Sequence, residues 1–181
     1  MPNEKRTVLI AAGLSSFLTP FMGSALNVAI PAIGRQMHAT AVTISWVISA
    51  YLLISAVFLL PFGRLADMLG RKRVFLMGVA LFGLSSLLCA VSPSITILIA
   101  SRAIQGIAGA MVFGTAVSLI TSAIPPGERG KALGINTATV YVGLSVGPVV
   151  GGFLTQTLSW RAIFVIVAVL AGVTWLYAQR I

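Results

Sequence analysis

Charge is what this sequence has least of. Among 181 residues there are 12 bases and 3 acids, so 8% of the chain is charged, against about 25% in an ordinary soluble domain. A water-soluble fold of this length needs a polar skin, and a chain that is 58% hydrophobic cannot supply one. Hydrocarbon must form part of its solvent. A cytosolic enzyme and a secreted domain are both excluded. The single cysteine, Cys89, rules out an intramolecular disulfide framework and any Cys-rich metal site. One histidine, His38, removes most His-based metal or triad chemistry, and no metal or cofactor is expected. The net charge of +9 would suggest nucleic acid in a soluble chain. Here the bases fall in short clusters between apolar runs, so the expected partner is the lipid bilayer and not nucleic acid.

What is present divides into spans. A helix needs about 20 apolar residues to cross the hydrocarbon core, and charges and turn residues cut the chain into six such pieces. They run over about Thr7–Ile33, Thr40–Phe62, Val74–Val91, Ile95–Ile124, Ala132–Gln156 and Trp160–Ala178. Gly63-Arg64 is expected to end the second, Ser92-Pro93-Ser94 to make a turn after the third, and Pro125-Pro126-Gly127 to stop the fourth. The first run is too long for a signal-peptide core and reads as a retained span. No stretch reads as a strand or long linker. The fold class is therefore an all-α membrane protein, a single six-span domain over residues 1–181.

Orientation follows from the bases. Lys5, Arg6, Arg64, Arg71, Lys72, Arg73, Arg129, Lys131 and Arg180 fall on one side, and only Arg35 and Arg161 on the other. That asymmetry places both termini in the cytoplasm. Trp160, Trp175 and Tyr177 suit aromatic belts at the two interfaces. The halves also echo each other. Shifting the chain by 89 positions aligns Gly63 with Gly152, Leu65 with Leu154, Leu69 with Leu158, Lys72 with Arg161 and Phe75 with Phe164. The matched segments lie on opposite sides, so the repeat, about 7–91 and 94–179, is inverted, as in transporter halves.

Four segments carry the chemistry. Between spans two and three, Gly63-Arg64-Leu65-Ala66-Asp67-Met68-Leu69-Gly70-Arg71-Lys72 sets one of the three acids among bases. A carboxylate at the start of span three would suit a helix N-terminus, and glycines allow close approach of helix ends. In span four, Arg102 stands about 12 Å into the helix from Ser94, within Arg102-Ala103-Ile104-Gln105-Gly106. Burying it costs roughly 2.5–3.5 kcal/mol on the insertion scale. It either snorkels outward or bonds to carbonyls of a neighbouring helix, or it faces the bundle interior to bind an anion or tune a proton site. In span five, Gly143, Gly147 and Gly151 recur every fourth residue beside Pro148 and Gly152. Such a stripe lets another helix pack backbone to backbone, and the proline is expected to bend the span. In spans one and two, Ser24, Asn27 and Tyr51 are either interhelical hydrogen-bonding groups or cavity-lining ones.

These segments resemble the major facilitator superfamily, each on the expected span or loop. The first is similar to that family's G-x-L-A-D-x-x-G-R-[RK] loop, with Met68 where a basic residue is common. The span-four phrase is similar to its motif there, and Gly143 to Gly152 resembles the G-x-x-x-G-P-x-x-G-G signature of its antiporters. Asn27-Val28-Ala29-Ile30-Pro31 resembles the first-span motif of the fourteen-span drug-efflux branch, with Met22 at the position of that motif's Asp. The resemblance implies the N-terminal six-helix half of a transporter working by alternating access. Its partners would be a second six-helix half, lying outside this sequence, and a small molecule. Efflux of lipophilic compounds by an antiporter is the expected activity. A non-transporting fragment or an assembly subunit is the alternative, and an enzyme is not expected: Ser145 beside Gly143 has no histidine in the membrane to activate it. No span holds a carboxylate. Proton coupling would need residues outside this chain or His38, and otherwise transport is not proton-driven.

Overall fold

The computed structural model describes residues 2–181, with side chains from Lys5 onward. The polar tail expected around Glu4 concerns a side chain outside the described residues. Six helices follow one another: α1 Pro2–Gln36, α2 Ala41–Leu69, α3 Arg71–Ala90, α4 Ile95–Ala123, α5 Pro126–Thr157 and α6 Arg161–Ala178. All six are long and apolar enough to cross a membrane. Helix is the form forced on such segments, because hydrocarbon offers backbone amides no alternative partner.

Sequence punctuation sets most of the ends. The Thr40 hydroxyl accepts from Thr43 N–H at 3.2 Å and opens α2, and Ser94 accepts from Ile97 N–H at 3.4 Å and opens α4. Pro125-Pro126 starts α5, six residues earlier than the apolar run suggests. Proline fits the first turn, where its missing N–H has no intrahelical partner. Glu128, expected in a loop, therefore sits in the first turn of α5, 3.4 Å from Lys5 on α1.

The largest departure concerns Gly63–Lys72. It is not a loop. α2 runs unbroken through Gly63 and Arg64 to Leu69, and Gly70 alone separates it from α3. Gly70 has φ 96° and ψ 127°, a conformation that L side chains rarely adopt, which lets the chain reverse within one residue. Asp67 thus lies in the last turn of α2 and not at the start of α3. The α2 dipole disfavours an anion there, and Arg71 offsets it with two hydrogen bonds, Nε at 3.2 Å and Nη2 at 3.1 Å.

The six helices pair in a regular way. α1 packs mainly along α5 and α4 mainly along α2, while α3 contacts α4 and α6. Exchanging each helix with the one three places on maps these principal pairings onto one another. Phe75 and Phe164, aligned by the 89-residue shift, are both fully buried in one core. Lys72 and Arg161, aligned by the same shift, do equivalent jobs. Lys72 at the head of α3 donates to Gln179 O beyond α6 at 3.2 Å, and Arg161 at the head of α6 donates to Ser92 O beyond α3 at 2.6 Å. Each base therefore satisfies a carbonyl left open at the end of the other helix. Trp160, expected at an aromatic belt, is instead buried. Its indole donates to Gln36 Oε1 at 2.6 Å, which joins α6 to the end of α1, and Arg161 lies over the ring. Trp175 and Tyr177 are partly or fully exposed near the end of α6.

The closest contact is α1 against α5. A Cβ built on Gly143 would stand 2.7 Å from Phe17 O, and one on Gly151 would stand 2.7 Å from both Ala25 Cα and Ala25 O. A Cβ on Gly147 would overlap Ser24 Oγ and lie 2.9 Å from Phe21 O. Backbone thus meets backbone along the whole stripe. Gly152 lies off it, with only Val28 Cγ1 at 3.6 Å. Pro148 sits inside α5, which continues to Thr157. Because α1 cannot yield at Ala25, Gly151→Ala is expected to destabilise the bundle by about 1–3 kcal/mol through overpacking. Gly152→Ala should be nearly neutral. Thermal unfolding of the two variants in the same detergent checks this; equal midpoints would remove the backbone-contact argument.

Candidate functional site

Arg102 is the centre of the polar interior. The eighth residue of α4, counting from Ile95, it is 1% exposed and surrounded by α2, α3 and α4. Its Nε donates to Val47 O on α2 at 3.0 Å. Its Nη1 donates to Gln105 Oε1, one turn further along α4. Gln105 passes the chain on, its Nε2 donating to Ser86 Oγ on α3 at 2.6 Å, and Ser86 donates to Phe82 O at 2.7 Å. The guanidinium also lies 4.3 Å from the centroid of the Tyr51 ring, a cation–π contact in a desolvated setting. Outward snorkelling is thus ruled out by burial, and the other two readings meet in one side chain. Arg102 is interior, and it bonds to a neighbouring helix's carbonyl. Its Nη2 has no partner among the described residues, and the side chain forms part of a cavity wall.

That cavity measures about 430 Å³ and opens between α1, α2, α4 and α5. Ser24 and Asn27 of α1, Tyr51 and Leu52 of α2, Arg102 and Phe113 of α4 and Leu144 of α5 line it. The site residues expected from the sequence thus converge, although they come from three separate helices. Asn27 is exposed and makes no side-chain hydrogen bond, so it is a cavity group and not an interhelical tie. Ser24 is both. It bonds to Pro20 O at 2.9 Å within α1 and to Gly143 O of α5 at 3.3 Å. The Tyr51 hydroxyl is buried without a partner of good geometry, since Ser55 beside it donates to Gly106 O at 2.9 Å. Among the described residues no carboxylate lies in the middle of a span; Asp67 and Glu128 both sit at helix ends.

A second groove, of about 520 Å³, continues along α1 towards the base-rich end, with Arg6 at its mouth. Arg6, Ile10, Gly13 and Phe17 lead in steps of three or four to Pro20, Ser24 and Asn27, a single face of α1.

The Gly63–Lys72 residues lie apart from the cavity, at the base-rich end. Arg71 bridges three helices there, holding Asp67 of α2 and donating Nη1 to Ser118 O of α4 at 3.3 Å. Gly63 lies beside α4 in ordinary contact: a Cβ on Gly114 would stand 3.5 Å from Gly63 N, and a Cβ on Gly63 would meet nothing within 4 Å. Sequence reasoning missed Ser86, whose only signal was a Ser85-Ser86 pair inside an apolar span. It also missed the second tight contact, α4 on α2. A Cβ on Gly106 would meet Tyr51 O at 2.7 Å, and one on Gly109 would meet the Tyr51 hydroxyl at 2.8 Å. These two glycines fix where the Tyr51 ring stands under Arg102.

Six apolar helices around an internal arginine, with a side-opening and mostly apolar cavity that carries a few polar groups, define a multi-pass membrane protein. The sequence matches the Major Facilitator Superfamily over residues 12–180, and the chain belongs to that family. It is 34% identical to the riboflavin transporter RibZ of Clostridioides difficile, covering 96% of this chain and 39% of that protein. It is 39% identical to the multidrug resistance protein Stp of Mycobacterium tuberculosis, covering 91% of this chain and 31% of Stp. The cephamycin export protein CmcT of Amycolatopsis lactamdurans is 38% identical, with 88% of this chain and 33% of that protein covered. The chain thus spans between about a third and two fifths of the length of these relatives. The solved structure of the proton:xylose symporter XylE superposes with a TM-score of 0.88 at 14% identity, over 99% of this chain and 45% of XylE. That likeness confirms the fold.

The geometry separates the roles of the Tyr51 ring and its hydroxyl. Tyr51→Phe keeps the face under Arg102 and should change stability by less than about 0.5 kcal/mol, whereas Tyr51→Leu should cost about 0.5–2 kcal/mol. Gln105→Leu, which strands Arg102 Nη1, should cost about 1–3 kcal/mol. Thermal unfolding in detergent ranks the three. A Phe variant as unstable as the Leu variant would sink the cation–π assignment.

Proposed function

We propose that this chain is the N-terminal six-helix half of a secondary transporter that exports small, largely lipophilic molecules by alternating access. The observation that carries the reading is the cavity itself. It is open on one side, lined by Leu52, Phe113 and Leu144, and supplied with a few polar groups at Asn27, Ser24 and Arg102. A second six-helix half packed over α2 and α5 would close that side. Both helices present long exposed apolar faces, with Leu52, Leu60, Val149 and Phe153 among them. Relatives named for multidrug resistance and cephamycin export support the direction and class of cargo.

In this reading Arg102 has a double task. Two of its donor groups lock α4 to α2 and to Gln105, and Nη2 is left to meet an acceptor or anion in the cavity. The glycine contacts of α5 on α1 and of α4 on α2 keep the half rigid, so that it moves as one body when access alternates. Exchange, the antiporter mode, is supported by the Gly143–Gly152 segment, whose contact with α1 holds the cavity wall at Ser24. The base-rich end is assigned to the cytoplasm, and the groove from Arg6 is the entry path for cargo.

Two measurements test this. In a complete two-half transporter containing this chain, Arg102→Ala should abolish substrate flux in proteoliposomes while membrane insertion is retained, since removing the buried charge relieves roughly 2.5–3.5 kcal/mol of insertion cost. Flux at the parent rate would leave Arg102 only a structural part. Orientation is tested on a Cys89→Ala background. Met37→Cys in the α1–α2 turn should be labelled by an impermeant thiol reagent from outside intact cells, and labelling only from the cytoplasmic side would reverse the assignment.

A further inference from the structure

The face of the bundle formed by α3 and α6 lies away from the Arg102 cavity and takes no part in the transport reading. Two cavities, of about 570 and 320 Å³, open on it, and both are walled by Ala80 and Trp175. They therefore form one trough. It starts at Arg73, in the first turn of α3, and reaches Leu87. Fourteen residues of helix make that about 21 Å, longer than half of the roughly 30 Å hydrocarbon core.

Arg73 is the only charged residue in the wall of either cavity. Its state differs from that of the two bases before it. Arg71 is engaged by Asp67 and Ser118 O, and Lys72 by Gln179 O. Arg73 is exposed, and its side chain has no hydrogen bond or ion pair among the described residues. The trough is also not an artefact of loose packing inside the bundle. At Gly83 the two helices touch, where a Cβ would stand 3.2 Å from Ala171 Cβ, whereas a Cβ on Gly172 would meet nothing within 4 Å. The space beside Gly172 thus lies outside the protein's own core and inside the surrounding lipid. Trp175, whose amphipathic ring suits the headgroup level, stands near the charged end.

An apolar channel that ends at a free guanidinium has the charge pattern of a phospholipid turned inside out. Acyl chains bring the apolar surface, and the phosphate brings the anion that a guanidinium grips through paired N–H groups. A net negative headgroup adds attraction at an end of the molecule where Arg71, Lys72, Arg64 and Lys131 already raise the potential. We propose that the α3–α6 trough is a binding site for one anionic phospholipid of the leaflet at the base-rich end. Its phosphate sits on Arg73, and one acyl chain runs past Ala80 and Gly172 towards Leu87. The site is separate from the cargo cavity and does not depend on what the protein transports.

The test uses Trp175 as the reporter. The 181-residue protein is held in mixed micelles or nanodiscs containing phosphatidylglycerol or phosphatidylcholine with brominated acyl chains. Fluorescence is recorded for the parent and for Trp175→Phe, and their difference isolates Trp175 from Trp46 and Trp160. Brominated phosphatidylglycerol should quench Trp175 at a several-fold lower mole fraction than brominated phosphatidylcholine. Arg73→Gln should bring that ratio to about one. Lys131→Gln removes an exposed base from α5, at the same end but off the trough, and should leave the ratio intact. Gly172→Leu, which has room for its side chain, should reduce quenching by both lipids. Circular dichroism and size-exclusion profiles matching the parent establish that each variant is folded. Equal quenching by the two lipids in the parent would overturn the proposal. So would equal losses in Arg73→Gln and Lys131→Gln, which would reduce the effect to general surface charge, or unchanged quenching in Gly172→Leu, which would empty the trough of its chain.

Discussion

Hydrocarbon neither donates nor accepts hydrogen bonds, and the architecture of this protein follows from that. Backbone amides must be satisfied within each crossing segment, so all six are helices. Several hydroxyls in the spans meet the same demand locally. Ser15, Ser85, Ser86, Thr115 and Thr174 each return a hydroxyl proton to a carbonyl three or four residues earlier in their own helix. Arg102 cannot be satisfied so locally. It draws its partners from α2 and from Gln105, which in turn reaches α3, and so one buried cation sets the relative positions of three helices.

The same solvent removes the ordinary force that brings helices together. Lipid tails are as apolar as leucine, so helices gain little by hiding leucine from them, and association rests on close contact. One such contact is α3 on α4, where a Cβ on Gly78 would stand 2.8 Å from Met111 Cβ. Two others bound the cavity. Glycines of α5 receive the backbone of α1, and glycines of α4 receive the backbone of α2 at Tyr51. The first contact forms the wall carrying Ser24, and the second places the ring under Arg102. The cavity between them is therefore bounded by two closely packed surfaces. Structural rigidity and the chemistry of the site are one arrangement here.

The two ends of the bundle are held by different means. At the base-rich end, Arg71 gathers Asp67 and Ser118 O, and Lys72 caps the chain beyond α6. At the other end, Arg161 caps the chain beyond α3, and Trp160 reaches Gln36 at the close of α1. Lys72 and Arg161, aligned by the 89-residue shift, each cap the other helix's end, so the two ends share one device while the surrounding residues differ. Arg73, outside all of these pairings, is left facing lipid.

Much of this was legible in the residues alone. Six apolar runs, their separation by bases and prolines, and the contact stripe of α5 follow from periodicity and from the cost of charge in hydrocarbon, which are local properties. The sequence left open whether Arg102 snorkels outward or is buried. Helix ends were less legible, because an apolar run marks the hydrocarbon boundary and not the last hydrogen bond. Hence α2 passes through Gly63 to Leu69, and α5 starts at Pro126. The partners of each side chain lay beyond the sequence for a stronger reason. Whether Trp160 sits at an interface or against Gln36, whether Asn27 bonds or lines a cavity, and whether Ser86 meets Gln105 depend on rotations between helices far apart in the chain. Those rotations are settled by where helices can touch closely, backbone to backbone at Gly106, Gly147 and Gly151 and against the Tyr51 ring at Gly109. Only the assembled bundle decides that.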